Sequence, residues 1–287
     1  MQNNYKCPTS NFGKSEQCNE CPNQSICGTV KPDDSLPLIS ANVSHFKLIF
    51  SIFSGKGGVG KSTITRNIAE FLSLKNYKVL LLDLDLSGPS IPKMTHTEGE
   101  IIIESNKRFY PVKLSENLGC ISVGYFADSQ PSQNLFSSTY KTNTIRNILI
   151  NGDIADYEIL IIDTPPNVTD EHLGIVNYLK LNFAIVVTTP QLISFQDVIR
   201  QCTFCYKNNI KILGIIENMK GFRCEKCDSL QDIFYNSDIE QKCKENNLNY
   251  IGSLPLNIEY GKSGDNGILI DDQIFSKTID LIINEIK

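Results

Sequence analysis

Long apolar runs are missing from this 287-residue chain. No stretch approaches the ~18 residues that cross a bilayer as a helix, so no membrane-spanning helix is expected. A basic excess is missing too: 27 Lys and Arg stand against 32 Asp and Glu, net −5, with no basic stripe, which argues against a general nucleic-acid binder. The opening residues, Met1 to Lys6, lack the apolar core of a leader, so secretion is not expected and the cytoplasm is the expected location. There is no internal repeat, and His45, His96 and His172 show no mutual spacing that suggests a metal site. What remains, 41% hydrophobic and 21% charged, fits one large core with an appendage. Ten cysteines in a chain without an export signal are expected to be reduced, and their spacing points to metal rather than disulfides.

Residues Gly55-Lys56-Gly57-Gly58-Val59-Gly60-Lys61-Ser62 fit G-x-x-x-x-G-K-[ST], the loop whose backbone N–H groups cradle phosphates. It follows the apolar run 48–53, which reads as a buried strand, and precedes Thr63 to Leu74, where Ile64, Ile68, Phe71 and Leu72 recur at helical spacing. Strand, glycine loop and helix together place phosphates at a helix N-terminus. Lys61 is expected to reach the β- and γ-phosphates and the Ser62 hydroxyl to coordinate Mg²⁺. A glycine turn without a ligand is a poor alternative, and the chain is expected to bind a nucleoside triphosphate.

Cys7, Cys18, Cys21 and Cys27 lie in a polar stretch, 1–30, that cannot bury enough apolar surface to fold alone. Four thiolates suit tetrahedral zinc or a [4Fe–4S] cluster; the C-x10-C-x2-C-x5-C spacing is not that of a zinc ribbon and favours iron–sulfur, with zinc still open. A linker, 31–46, with Pro32, Pro37 and no periodicity follows, and a catalytic domain takes 47–287.

That domain is expected to be α/β: a doubly wound, mostly parallel sheet. The runs 79–82, 159–162, 183–187 and 212–216 are continuously apolar, as strands covered on both faces require. Helical patterns over 170–179, 195–207, 237–245 and 273–286 sit around them, and 95–104 reads as a mobile surface loop. Two of the strands end in Asp83-Leu84-Asp85 and in Asp163-Thr164-Pro165-Pro166, where carboxylates face the ligand crevice of such a sheet. Helix capping is the commoner use of a strand-terminal Asp, but two such ends beside a phosphate loop favour Asp163 for the Mg²⁺ shell and Asp85 for orienting the attacking water.

The loop with its second lysine, Lys56, resembles the deviant phosphate loop of the MinD, ArsA and nitrogenase-iron-protein group. Asp83-Leu-Asp-Leu-Ser-Gly-Pro-Ser90, Asp163-Thr-Pro-Pro166 followed by Asp170-Glu-His-Leu173, Glu217-Asn-Met-Lys-Gly-Phe222 and Gly252-Ser-Leu-Pro-Leu256 are similar to its Mrp-like branch of iron–sulfur carriers. The N-terminal cysteines resemble those of the branch's eukaryotic cytosolic assembly scaffolds. The resemblance implies a slow ATPase in which Lys56, Lys61 and Asp85 serve catalysis. It implies that residues 55–63, including Thr63, hold nucleotide together with Asn218 on the adenine edge and Pro255, and that Ser62, Asp85 and Asp163 hold Mg²⁺. Lys56 would reach across a dimer interface. Cys224 and Cys227 would share one [4Fe–4S] cluster with the same pair of a partner, while the N-terminal cysteines hold another. The partner would be a second copy or a shorter paralogous ATPase lacking those cysteines, with apoproteins and targeting factors downstream. A MinD- or ParA-like positioning ATPase competes with this reading, but the last helical segment carries Asp271, Asp272, Asp280 and Glu285 against Lys277 and Lys287, so it lacks a cationic face. A zinc-dependent metal-insertion GTPase competes less well without an N/T-K-x-D loop. Cys202 and Cys205 lie on a helical pattern and read as packing residues, as do Cys120 and Cys243. Asn167 stands where the branch has glycine, a residue expected to be more restricted in a switch.

Overall fold

Seven consecutive residues of β1 (Leu48–Ser54) are buried, which only a strand covered on both faces allows. The computed structural model describes residues 33–126, 138–224, 226–227, 229–234 and 238–286, and the chain divides into compact units 1–38 and 39–287. The four N-terminal cysteines lie outside the described residues. In the first unit Asp33 Oδ1 accepts from the Ser35 amide at 3.0 Å and closes a turn. Helix α1 (Leu36–Val43) then begins inside the expected linker, with Pro37 in its first turn, where a missing N–H costs nothing. Its Ile39 and Val43, one turn apart, are buried, and Asn42 donates to the carbonyls of Leu149 at 2.9 Å and Gly152 at 3.0 Å.

The second unit is the expected doubly wound sheet. After β1 come α2 (Lys61–Leu74), β2 (Val79–Asp83), the short α3 (Ile91–Met94), the hairpin β3 (Ile103–Ser105) and β4 (Arg108–Tyr110), then β5 (Val112–Lys113) and β6 (Leu118–Ser122). Helix α4 (Ser138–Asn151), β7 (Ile159–Asp163), α5 (Asp170–Tyr178), β8 (Phe183–Thr188), α6 (Leu192–Lys207) and β9 (Lys211–Glu217) follow. A second hairpin, β10 (Phe222–Arg223) and β11 (Leu230–Gln231), precedes α7 (Ile239–Glu245), β12 (Tyr250–Ser253), α8 (Ile258–Asp265) and α9 (Gln273–Asn284). Eight strands run in the order β12-β9-β8-β1-β7-β2-β6-β5, parallel except where β5 meets β6. The chain steps from β1 outward to β2 and later returns to β8 on β1's other side, so connections diverge above the C-terminal end of β1 and open a crevice there.

Helix α9 buries Ile274, Phe275, Thr278, Ile279 and Ile282, and its Phe275 stacks on Phe71 of α2 at 5.6 Å. Segment 95–104 is a surface loop up to β3, as its polarity suggested, and it is fastened to Tyr125. The Thr97 and Tyr125 hydroxyls are 2.6 Å apart, the Ile102 amide donates to the Tyr125 carbonyl at 2.9 Å, and β3 begins at Ile103. Tyr125 lies more than twenty residues away, so local composition did not reveal that tie.

Candidate nucleotide site

The phosphate loop is shaped by close approach as much as by backbone freedom. A Cβ on Gly55 would lie 2.1 Å from the Asp197 Cβ of α6, and one on Gly60 would lie 2.3 Å from the Asn218 Nδ2. Gly58 and Gly60 adopt φ of 76° and 83°, the left-handed region that side chains resist, and Gly60 caps α2. Val59 is buried, while Lys56 is half-buried and its carbonyl accepts from the Ser54 hydroxyl at 3.1 Å.

Behind the loop the side chains converge on one carboxylate. Asp163, fully buried at the end of β7, accepts at Oδ1 from Lys61 Nζ at 2.6 Å and Thr65 Oγ1 at 2.9 Å. At Oδ2 it accepts from Ser62 Oγ at 2.6 Å. The lysine and hydroxyl expected to meet phosphate and Mg²⁺ are thus held on the carboxylate expected in the metal shell. A hydroxyl and carboxylates are the oxygen donors that Mg²⁺ takes, so Ser62, Asp163 and Asp85 fit that ion. Thr63, half-buried in the first turn of α2, offers its carbonyl to Asn67 Nδ2 at 2.8 Å.

Asp83 received no role from the sequence, yet it pairs in register with Asp163 across β2 and β7. It accepts from Ser122 Oγ at 3.0 Å and from the Asp85 amide at 3.1 Å. Burial, and then the neighbouring Asp163 charge, push its carboxyl up to about 7. The signal was present as the first Asp of the strand-end pair; the buried Ser122 partner on β6 was not. Asp85 Oδ1 accepts from the Ser87 and Gly88 amides, each at 3.2 Å, and partial burial raises its carboxyl from the ordinary value.

Segment 164–169 lies over the loop. Thr164 Oγ1 donates to the Ile52 carbonyl at 2.9 Å, and the Asn167 amide donates to the Ser54 carbonyl at 2.9 Å. Asn167 itself sits at φ 64°, the conformation glycine would adopt freely. On the other flank Asn218 Nδ2 donates to the Val59 carbonyl at 2.9 Å and its Oδ1 accepts the Met219 amide at 2.9 Å. Pro255 is half-buried just beyond β12.

Cys224 and Cys227 occupy the tip of the β10–β11 hairpin, the first half-exposed and the second exposed. The Cys224 amide donates to the Ser229 carbonyl at 3.0 Å, and Cys227 Sγ lies 3.0 Å from Ser229 Oγ. Hydrogen bonds from Ser229, and then from Cys224, lower the Cys227 thiol. Among the described residues no group of three or more His, Cys, Asp or Glu could hold a metal ion, so this pair offers two ligands only. Cys202, Cys205 and Cys243 are buried and their thiols are pushed up to about 12, chiefly by burial, as inert packing residues are.

Residues 45–287 match the family described as ParA: NUBPL iron-transfer P-loop NTPase. The chain belongs to this family. This NUBPL-type NTPase is accordingly a nucleotide-binding ATPase with the P-loop fold. A nucleotide-binding protein of Archaeoglobus fulgidus solved with ADP is similar at 26% identity and TM-score 0.71, over 81% of this chain and 91% of that one. The septum site-determining protein MinD of Pyrococcus horikoshii, solved with Mg-ADP, shares the fold at 21% identity and TM-score 0.61, over 82% and 93%. A plasmid partition protein of Borrelia burgdorferi bound to AMPPNP does so at 20% and 0.58, over 83% and 97%.

Proposed function

We propose that this NUBPL-type ATPase is a scaffold that assembles [4Fe–4S] clusters and passes them to cytosolic and nuclear apoproteins, as the Mrp-like branch does. The observation that carries the reading is the accessible Cys224 and Cys227 pair at the tip of a two-stranded hairpin. Two thiolates are half the set that a cubane needs, so the cargo would lie between two chains, each donating one pair. The partner is a second copy or a shorter paralogue without the N-terminal cysteines, and Cys7, Cys18, Cys21 and Cys27 hold a further cluster.

The nucleotide site supplies the control. Asn218, which bonds the loop at Val59, is followed by Met219 at φ 62° and Gly221 at φ 68°, and the hairpin starts at Phe222. The residue that bonds the loop and the first cysteine of the cargo site are therefore six residues apart along the chain. ATP is the expected nucleotide, with Asn218 and Pro255 beside its base. Lys61 and the loop amides 55–63 take the phosphates, Lys56 reaches the partner's nucleotide, and Asp85 orients water. Mg²⁺ held by Ser62, Asp163 and Asp85 would neutralise phosphate charge there. Nucleotide state can shift cargo affinity only through such differential contacts.

Anaerobic reconstitution with iron and sulfide, followed by absorption and EPR spectroscopy, tests the reading. The expected result is a charge-transfer band with a [4Fe–4S] signal after reduction, part of it transferable to an apoprotein. Zinc alone, with no such band, would overturn it and leave a positioning ATPase of the MinD kind.

A further inference from the structure

The stretch Asp170-Glu171-His172 opens α5, and Glu171 and His172 are both fully buried. Glu171 Oε1 lies 2.9 Å from Lys141 Nζ of α4, which fastens the helix start sideways. His172 Nδ1 lies 3.3 Å from the Thr169 amide and 3.1 Å from the Thr169 hydroxyl. A backbone N–H only donates, so Nδ1 is the acceptor and the ring proton belongs to Nε2. The ring itself lies 4.9 Å from Phe53 of β1 and 5.9 Å, edge-on, from Phe204 of α6. Phe53 immediately precedes Ser54, whose carbonyl holds the Asn167 amide at 2.9 Å and Gln201 Nε2 at 3.2 Å.

Segment 164–169 is thereby tied to β1 at both ends: Thr164 on Ile52, and Thr169 through the His172 ring on Phe53. Between the ties, Pro165 and Pro166 are stiff, and Asn167 holds a left-handed φ of 64°. A rotation that carries the Asn167 N–H away from Ser54 and towards a phosphate must be absorbed over 167–169. We propose that His172 is a positioning residue for ATP hydrolysis, the fixed pivot about which the Asn167 amide exchanges the Ser54 carbonyl for a phosphate oxygen. A Gln or Glu at the third helical position accepts the same amide in a capping box, and the imidazole does so with a ring anchored in the core. Burial, and then the Lys61 charge, lower the ring to about 3, so Nδ1 stays an acceptor at working pH. The proposal rests on the chain being an ATPase.

Two variants separate the acceptor from the packing. His172→Phe keeps an aromatic body and loses Nδ1; His172→Gln restores an acceptor and loses the ring. His172→Phe is expected to lower kcat about tenfold while KM for ATP changes no more than about twofold, and His172→Gln to recover most of that kcat. Wild-type kcat in His172→Phe, or an equal loss in both variants, would overturn the proposal. The wild-type chain with ¹⁵N-labelled histidine supplies a test that needs no variant to fold. His172 should give the Nε2–H signature, unchanged between ADP and a non-hydrolysable ATP analogue; an Nδ1–H signature or a nucleotide-dependent tautomer change would also overturn it. Absence of hydrolysis in the wild-type chain would instead strike the ATPase assignment, and the tautomer measurement would still judge the pivot.

Discussion

Asp163 accepts three side-chain hydrogen bonds while fully buried, so each partner matters to folding. Lys61→Ala leaves that carboxylate without its cation. We expect loss of nucleotide binding together with destabilisation of about 3–5 kcal/mol, read by urea unfolding, because a buried charge stripped of its partner stays desolvated. Lys56→Ala, at a half-buried lysine outside that network, should retain ATP affinity and stability yet slow hydrolysis; equal affinity loss in both variants would refute the division. His172 gives a pH test with a definite sign. Its folded-state value of about 3 lies below the ordinary 6.5, so the unfolded chain binds the extra proton in between. Stability from this group is complete above pH 6.5 and is lost as pH falls. From pH 7 to 5.5 the wild-type chain should lose about 1 kcal/mol more than His172→Gln in urea titrations. These networks were only half legible. The loop motif announced Lys61 and Ser62, and the strand ends announced Asp85 and Asp163, but the use of Asp83 and His172 depends on Ser122, Phe53 and Phe204, distant in sequence.

Elements buried on both faces were the legible ones. β1, β2, β7, β8 and β9 lie within one residue at either end of the runs that their apolar character marked, since a strand between two helix layers admits little else. α4 was not legible: nine of the fourteen residues of Ser138–Asn151 are polar, and only Ile145, Ile148 and Leu149 among its apolar residues are buried. The two-residue strands β10 and β11 exist through their pairing with each other and carry no pattern of their own. The Asn167 position was legible as a departure, and its φ of 64° shows what the backbone demands there. Glycine visits that region freely whereas Asn is only tolerated, at a cost on the order of 1 kcal/mol. Asn167→Gly should therefore raise the basal hydrolysis rate, up to about tenfold if the whole cost falls on the transition state, with ATP affinity little changed. Single-turnover hydrolysis of both chains decides it, and an unchanged or slower glycine variant would show that Asn167 is no brake.

On the scale of the whole molecule, ligand counts set what two chains can do together. One chain offers four N-terminal cysteines and the pair Cys224 and Cys227, while Cys202, Cys205 and Cys243 are buried and chemically quiet. If the N-terminal set closes one cubane within a chain and the pair closes half of another, reconstitution should deliver about four iron plus about two per chain. Replacing Cys224 and Cys227 with Ser should remove the smaller share and leave the larger. Because that share would tie two chains, the same variant should also show weaker dimerisation in sedimentation velocity under anaerobic conditions. Cys202→Ser is the control: the residue is only 2% exposed, so iron content and association should match the unmodified chain. Two outcomes would break the argument. Full iron content in the Cys224 and Cys227 variant would place all ligands elsewhere, and loss of iron without any change in association would make the hairpin site a single-chain site.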